Sequence, residues 1–294
     1  MRKKTLRLGN GNVVNDTNER FENEKYVESE EDTLSSLQFN PIKEKEDLKK
    51  FFLKKEAYSK FVNGEKNYYF YWFTTYDKLE LLVNKKTLKL GFPPKWYDYV
   101  DRIFIEAYSN EIELGKRIYA SCITTQKTSL MWQNYAFKEN SVLIIFNGRK
   151  LLELLGEKIL FYPVMYIPHL EKRKKQKILV PNKLLYPFIK RYSYQDEREW
   201  RIISTKQNLR FKTIKDLIES VSISDFAYEK KLLESKNQSE ANYLLIEKQK
   251  ERFKKKVEKL CEKISPQKRY LRNDWTFVNK SVIRNYCADL GDLS

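Results

Sequence analysis

An α+β fold, with a mixed or antiparallel sheet core, flanking helices and a helical C-terminal extension, follows from three observations on this 294-residue chain. The composition, 41% hydrophobic and 14% aromatic, is enough to bury one sizeable core. Short aromatic and β-branched runs bounded by turn residues punctuate the middle of the chain, as strands do. The last quarter changes to a charged sequence with helical apolar spacing.

Taken in order, residues 1–42 are polar and interrupted by the acidic cluster ESEED, which reads as a disordered tail. The stretch KEKEDLKKFFLKKEAYSKFV (43–62) places Leu48, Phe51 and Phe52 and a later row of Leu53, Ala57 and Phe61 at helical spacing, which suggests a first amphipathic helix. NYYFYWFTT (67–75) holds six consecutive aromatic residues, Tyr68 to Phe73, and predicts a strand buried on both faces. The sharper reading is that some of these rings line a pocket and stack on a planar ligand. A short helix through Leu79 to Val83, a strand at TLKLG (87–91) and a Pro-Pro turn follow. IYASCITT (118–125) reads as a strand, SLMWQNYAFKEN (129–140) as a helix with Met131, Trp132 and Tyr135 inward, and SVLIIF (141–146) as a central strand covered on both faces. RKLLELLG (149–156) is a helix ended by Gly156; KILFYPVMYIP (158–168) and YSYQDEREWRIIST (192–205) are strands. The domains so read are a tail over 1–42, a core over 43–228 and a basic helical extension over 229–294.

Composition removes several chemistries. The single histidine, His169, lies in a basic Pro-containing stretch without a nucleophile motif, so Ser-His-Asp and Cys-His catalysis are not expected. Three widely spaced cysteines with no CxxC pair indicate neither a disulfide framework nor a zinc site, and no metal is expected. RLGNGNVVND matches no phosphate-loop pattern. No apolar run of roughly 18 residues and no secretory leader are present, so the expected location is cytoplasmic, with no membrane partner.

The formal net charge of +17 is concentrated. Residues 171–191 carry eight Lys or Arg against one Glu, and residues 247–272 carry eleven against four. Clustered cations favour nucleic acid or another acidic surface; a solvated lysine face is the bland alternative. Within 246–264, Ile246, Phe253, Val257, Leu260 and Ile264 form a helical seam that suits pairing with a partner or with a second copy.

The chemistry candidate is QDEREWRI (195–202). On a continuous strand Glu197 and Glu199 would share a face about 7 Å apart, with Arg201 next in line and Trp200 opposite. Enclosed together, the two carboxylates repel, and one of them is expected to have a raised pKa. The alternative is an edge strand whose acids meet water and are balanced by Arg198 and Arg201.

CITTQKTSLMWQNYA, then SVLIIF, then DEREWRI about fifty residues later resembles the bacterial family catalogued as domain of unknown function 2971, over roughly residues 66–225. Its motif order is similar to that of ADP-ribosyltransferases, in which a hydroxyl-bearing strand, the helix after it and a later Glu-x-Glu strand frame a cleft for NAD. The resemblance implies Thr124 at the hydroxyl strand with Thr125 as the alternative, Tyr135 as a cleft wall, Glu199 as the catalytic carboxylate and Glu197 orienting the acceptor. Trp132 reads as core, with stacking on the ligand as its alternative role. The function so implied is transfer of ADP-ribose from NAD to a nucleic acid or protein, as a toxin or phage-defence effector would do. The aromatic first strand, however, carries neither the Arg nor the His with which such transferases grip the dinucleotide. The alternative is a non-catalytic, basic nucleic-acid-binding protein with a degenerate nucleotide cleft.

Overall fold

A computed structural model describes residues 45–96, 98–136, 138–167, 182–223, 228, 231, 240–264 and 271–272. The N-terminal tail, His169 and most of the 171–191 tract therefore lie outside the described residues.

The elements are α1 (Lys45–Leu53), α2 (Glu56–Asn63), β1 (Tyr69–Thr75), α3 (Tyr76–Lys85), β2 (Thr87–Lys89), α4 (Tyr99–Glu111) and β3 (Tyr119–Thr124). There follow α5 (Ser129–Tyr135), β4 (Ser141–Asn147), α6 (Gly148–Leu155), β5 (Leu160–Pro163), β6 (Met165–Ile167) and β7 (Ile189–Arg191). The rest are β8 (Glu199–Ser204), β9 (Asn208–Arg210), β10 (Ile218–Ile223), α7 (Glu240–Cys261) and β11 (Leu271–Arg272), with short 3-10 turns at Pro93–Lys95, Lys183–Phe188 and Tyr192–Glu197. The α+β class holds: a seven-stranded sheet in the order β11-β10-β4-β1-β3-β8-β5 is antiparallel except at the β10–β11 edge.

β1 sits mid-sheet because its sequence supplies large rings to both sides, but the two sides differ. Phe70 and Trp72 are buried in the main core, while Tyr69, Tyr71 and Phe73 are only half-buried on the other face. This corrects the expectation of burial on both faces: the second cluster there is small, made of Trp132 of α5, Ala136 just after it, and Leu143 and Ile145 of β4. β4 is buried from Ser141 to Phe146, as expected of a central strand, and β8 is buried throughout as well. On the main face Trp200 lies among the rings of Tyr58, Phe61, Phe70 and Phe161, so α1 and α2 close over the sheet.

Three expected elements divide. The first helix breaks at Lys54–Lys55 into α1 and α2. KILFYPVMYIP splits after Pro163, which has no N–H to continue a ladder; β5 pairs with β8, whereas β6 pairs in parallel with β7 in a separate two-stranded sheet. The strand expected at 192–205 starts only at Glu199, because 192–197 coil as a 3-10 turn and Arg198 takes a left-handed φ of 43°.

The C-terminal seam is partly used inside the chain. Val257, Leu260 and Cys261 are buried, and Phe253 and Ile264 pack on the same core, with Phe253 edge-on to Tyr76 of α3. Leu244 and Leu245 at the start of α7 are half exposed. No helix among the described residues is long and apolar enough to cross a membrane.

Candidate functional site

Register assembles the site. Tyr71 of β1 pairs with Thr124 of β3, and Thr124 pairs with Glu199 of β8. Directly paired residues of antiparallel strands project to the same side, so the half-buried aromatic row and the carboxylate share one face of the sheet. Arg201, two residues along β8, projects there too.

Around Glu199 lies a buried charge cluster. Arg201 Nε donates to Glu199 Oε1 at 2.6 Å, Arg201 Nη2 to Asp101 Oδ2 at 2.8 Å and Arg201 Nη1 to the Pro187 carbonyl at 2.9 Å. Lys190 Nζ lies 2.8 Å from Glu199 Oε2 and 2.6 Å from Glu197 Oε2. The Glu199 amide donates to the Tyr166 hydroxyl at 2.8 Å. Arg201 is fully buried, and its guanidinium also lies over the Trp96 ring, 5.3 Å from the centroid.

Three carboxylates, Asp101, Glu197 and Glu199, thus face two cations, Lys190 and Arg201. Ionised throughout, the cluster would be one positive charge short. Burial pushes the Glu199 carboxyl up, but Arg201 and then Lys190 outweigh it and hold the group well below the usual carboxylate range. Burial also pushes Glu197 up, and there the Lys190 attraction, opposed by Glu199, does not reverse it. Asp101 is raised as well, by burial first, with Arg201 opposing and Glu199 adding. For Lys190, burial lowers the pKa but Glu199 and Glu197 more than compensate, so it stays charged.

Access separates the two glutamates. The Glu199 side chain is 3% exposed and that of Glu197 15%. Glu197 comes from the 3-10 turn before the strand, so the left-handed Arg198, and not a straight pleat, brings both carboxylates to one ammonium. The Tyr135 hydroxyl donates to Glu197 Oε1 at 2.6 Å, while the residue as a whole is half exposed. Tyr135, expected inward, stands at the mouth because Glu197 satisfies its hydroxyl there. Burial first, and Glu197 against the Lys190 effect, raise that phenol well above its ordinary value.

The other expected residues hold the frame. The Thr124 side chain bonds to the Glu197 carbonyl, and its Oγ1 accepts from the Gln126 amide at 3.0 Å, so it ties the end of β3 to the turn that carries Glu197. The Thr125 amide donates to the Arg198 carbonyl at 3.3 Å. Trp132 is 4% exposed and edge-on to Phe73, with no partner for its indole N–H among the described residues. Burial, then the Glu199 carboxylate, push the Cys122 thiol well above its ordinary range, which suits an inert thiol.

Sequence reasoning missed Asp101 and Lys190. Asp101 rides on α4, whose N-terminus is capped by Asp98 accepting from the Val100 and Asp101 amides. Lys190 belongs to the tract read as a nucleic-acid face, yet it is 5% exposed: the surrounding Phe188 and Ile189 are core, and the strand carries the ammonium in to the carboxylates. Its neighbour Arg191 pairs with Asp98 at 3.1 Å. The signal was the apolar PFI immediately before it.

Among the described residues no group of three or more His, Cys, Asp or Glu side chains comes together as a metal site. The chemistry available is that of a carboxylate-rich cluster whose outer members, Glu197 and Tyr135, are partly exposed.

The model of a family described as a protein of unknown function (DUF2971) matches residues 131–202, the stretch that supplies Tyr135, Lys190, Glu197, Glu199 and Arg201. No curated protein matches the chain, and no solved structure does.

Proposed function

We propose that this site transfers ADP-ribose from NAD to a nucleophile on a nucleic acid or protein, an activity that suits a toxin or phage-defence effector. The observation that carries this reading is the convergence of Tyr135, Glu197, Lys190 and Glu199: the helix after the hydroxyl strand and the Glu-x-Glu segment meet at one mouth, 62 residues apart in sequence. The cluster's excess of carboxylate favours a ligand that brings positive charge, as the nicotinamide ring of NAD does.

Cleavage breaks the bond between the ribose anomeric carbon and the ring nitrogen. The bonding pair leaves with nicotinamide, which becomes neutral, and the ribosyl carbon takes on oxocarbenium character. A fixed carboxylate beside that carbon stabilises the developing charge. The acceptor then adds to the carbon and gives up its proton. Glu197, with its raised pKa and partial exposure, is the group assigned to face the ribose and take that proton. Glu199 is assigned to positioning: with Arg201 it fixes Lys190, which in turn holds Glu197.

A second reading, a non-catalytic nucleotide cleft in a nucleic-acid-binding protein, is favoured by one observation. The oxygens of both glutamates are already occupied, those of Glu199 by Arg201 and Lys190 and those of Glu197 by Tyr135 and Lys190. Calorimetric titration with NAD, with nicotinamide release followed in the same mixtures, separates the two, since a non-catalytic cleft releases none. Saturable binding, weakened in Glu197→Gln, is the expected result; absence of binding by the folded wild-type protein supports the second reading.

A further inference from the structure

Helix α7 separates its charges by side. Val257, Leu260 and Cys261 mark the side packed on the core. At 3.6 residues per turn, Lys248, Arg252, Lys255 and Lys259, at steps of four, three and four, fall opposite that side within about 60° of one another. All four are exposed, and no carboxylate of the described residues pairs with any of them. The acids of the helix stand on its flank, where Glu251 pairs with Lys254 at 3.7 Å. Stacked like charges three and four residues apart disfavour a helix by some tenths of a kcal/mol per pair. Glu251, Glu258 and Glu262, three or four residues from Lys248, Lys255 and Lys259, offset that cost only in part, and Arg252 has no acid at those spacings, so an anion on the stripe would stabilise the helix further.

The surface continues past the helix. Lys263 Nζ bonds to Asn84 Oδ1 at 3.1 Å, which brings the exposed Lys85 and Lys86 at the end of α3 alongside. Exposed Arg210, paired in register with Thr87, and exposed Lys212 extend it further.

We infer that the outer face of α7 and the adjoining end of α3 bind the phosphate backbone of a nucleic acid. Cations repeat along the stripe every about 4.5–6 Å over roughly 16 Å, a regular array suited to a polymer of regularly spaced charge. An interfacial membrane helix needs its apolar side for lipid, whereas the apolar side of α7 is buried in the core. This inference does not depend on the transferase reading, since its test needs no NAD.

The test is binding of a 20-base-pair DNA duplex and a 20-nucleotide RNA by the full chain across a salt series, with the variant Lys255→Gln/Lys259→Gln. The four cations of the stripe alone predict at least a roughly 100- to 200-fold fall in affinity between 50 and 200 mM salt on duplex DNA, and the variant, which removes two of them, should lower the logarithmic slope by about 1.8. Equal far-ultraviolet circular dichroism of the two proteins establishes that the helix is intact. Preference for one polymer identifies which nucleic acid is bound. An unchanged slope in the variant, equal competition by polyglutamate, or preference for anionic phospholipid vesicles over both oligonucleotides overturns the inference.

Discussion

The Tyr135 hydroxyl donates to Glu197 Oε1 across 2.6 Å, which places a phenol from the helix α5 and a carboxyl from the turn before β8 at one mouth. Behind them Lys190 bridges Glu197 to Glu199, and Arg201 bridges Glu199 to Asp101. The outer pair is partly exposed and the inner pair is buried, so substitutions in the two layers have different consequences.

Replacement of Glu197 by glutamine removes the carboxylate in excess and leaves two carboxylates with two cations. Activity should fall by about 100-fold or more, the usual contribution of a positioned acid or base. The melting temperature at neutral pH should be unchanged or higher. Parallel thermal denaturation and turnover measurements check both statements.

Replacement of Glu199 by glutamine should be dominated by stability. It takes from Arg201 and Lys190 the buried carboxylate they share, leaving Arg201 with Asp101 and Lys190 with the more exposed Glu197, and breaking such a buried pairing from one side costs on the order of 3–5 kcal/mol. Denaturant unfolding of Glu199→Gln beside Glu197→Gln measures the difference. Equal stability of the two variants would contradict the layered cluster.

The pH dependence separates the two layers again. Glu199 is depressed by its cations, so its contribution to stability is present above the unfolded value near pH 4.3 and is lost as pH falls toward its folded value. Glu197 is raised, so the folded state holds that proton longer than the unfolded chain, and its ionisation lowers stability as pH climbs above about 4.3. Glu197→Gln should therefore gain on the wild-type protein as pH rises from about 4 to 7. A stability difference that is constant over this range would count against it.

Tyr135→Phe tests the mouth directly. The hydroxyl's hydrogen bond holds the Glu197 pKa lower than it would otherwise be. Without it, the acidic limb of the pH–rate profile should move to higher pH with the fold preserved. A limb that does not move would mean that Glu197 ionisation is not what the rate reports.

Much of the frame was legible because it rests on local signals. Six aromatics in a row announce β1, the unbroken apolar run of 141–146 announces β4, and Gly156 closes α6 as read. The site was legible in part. DEREW gave the carboxylates and MWQNYA gave Tyr135, but their geometry depends on the left-handed Arg198, which a strand pattern hides. Helix α4 escaped notice because its buried stripe is Asp101, Ile105 and Tyr108, and an acid at a core position erases the apolar period. Lys190 was hidden for the reverse reason, as one cation among many whose burial is decided by partners distant in sequence.

The most direct test of the central claim is release of nicotinamide from NAD with water as acceptor, comparing the wild-type protein with Glu197→Gln at equal folded fraction. The account predicts release by the wild-type protein and a loss of about 100-fold or more in the variant. Equal release by both proteins, or none by the folded wild-type protein, would contradict it.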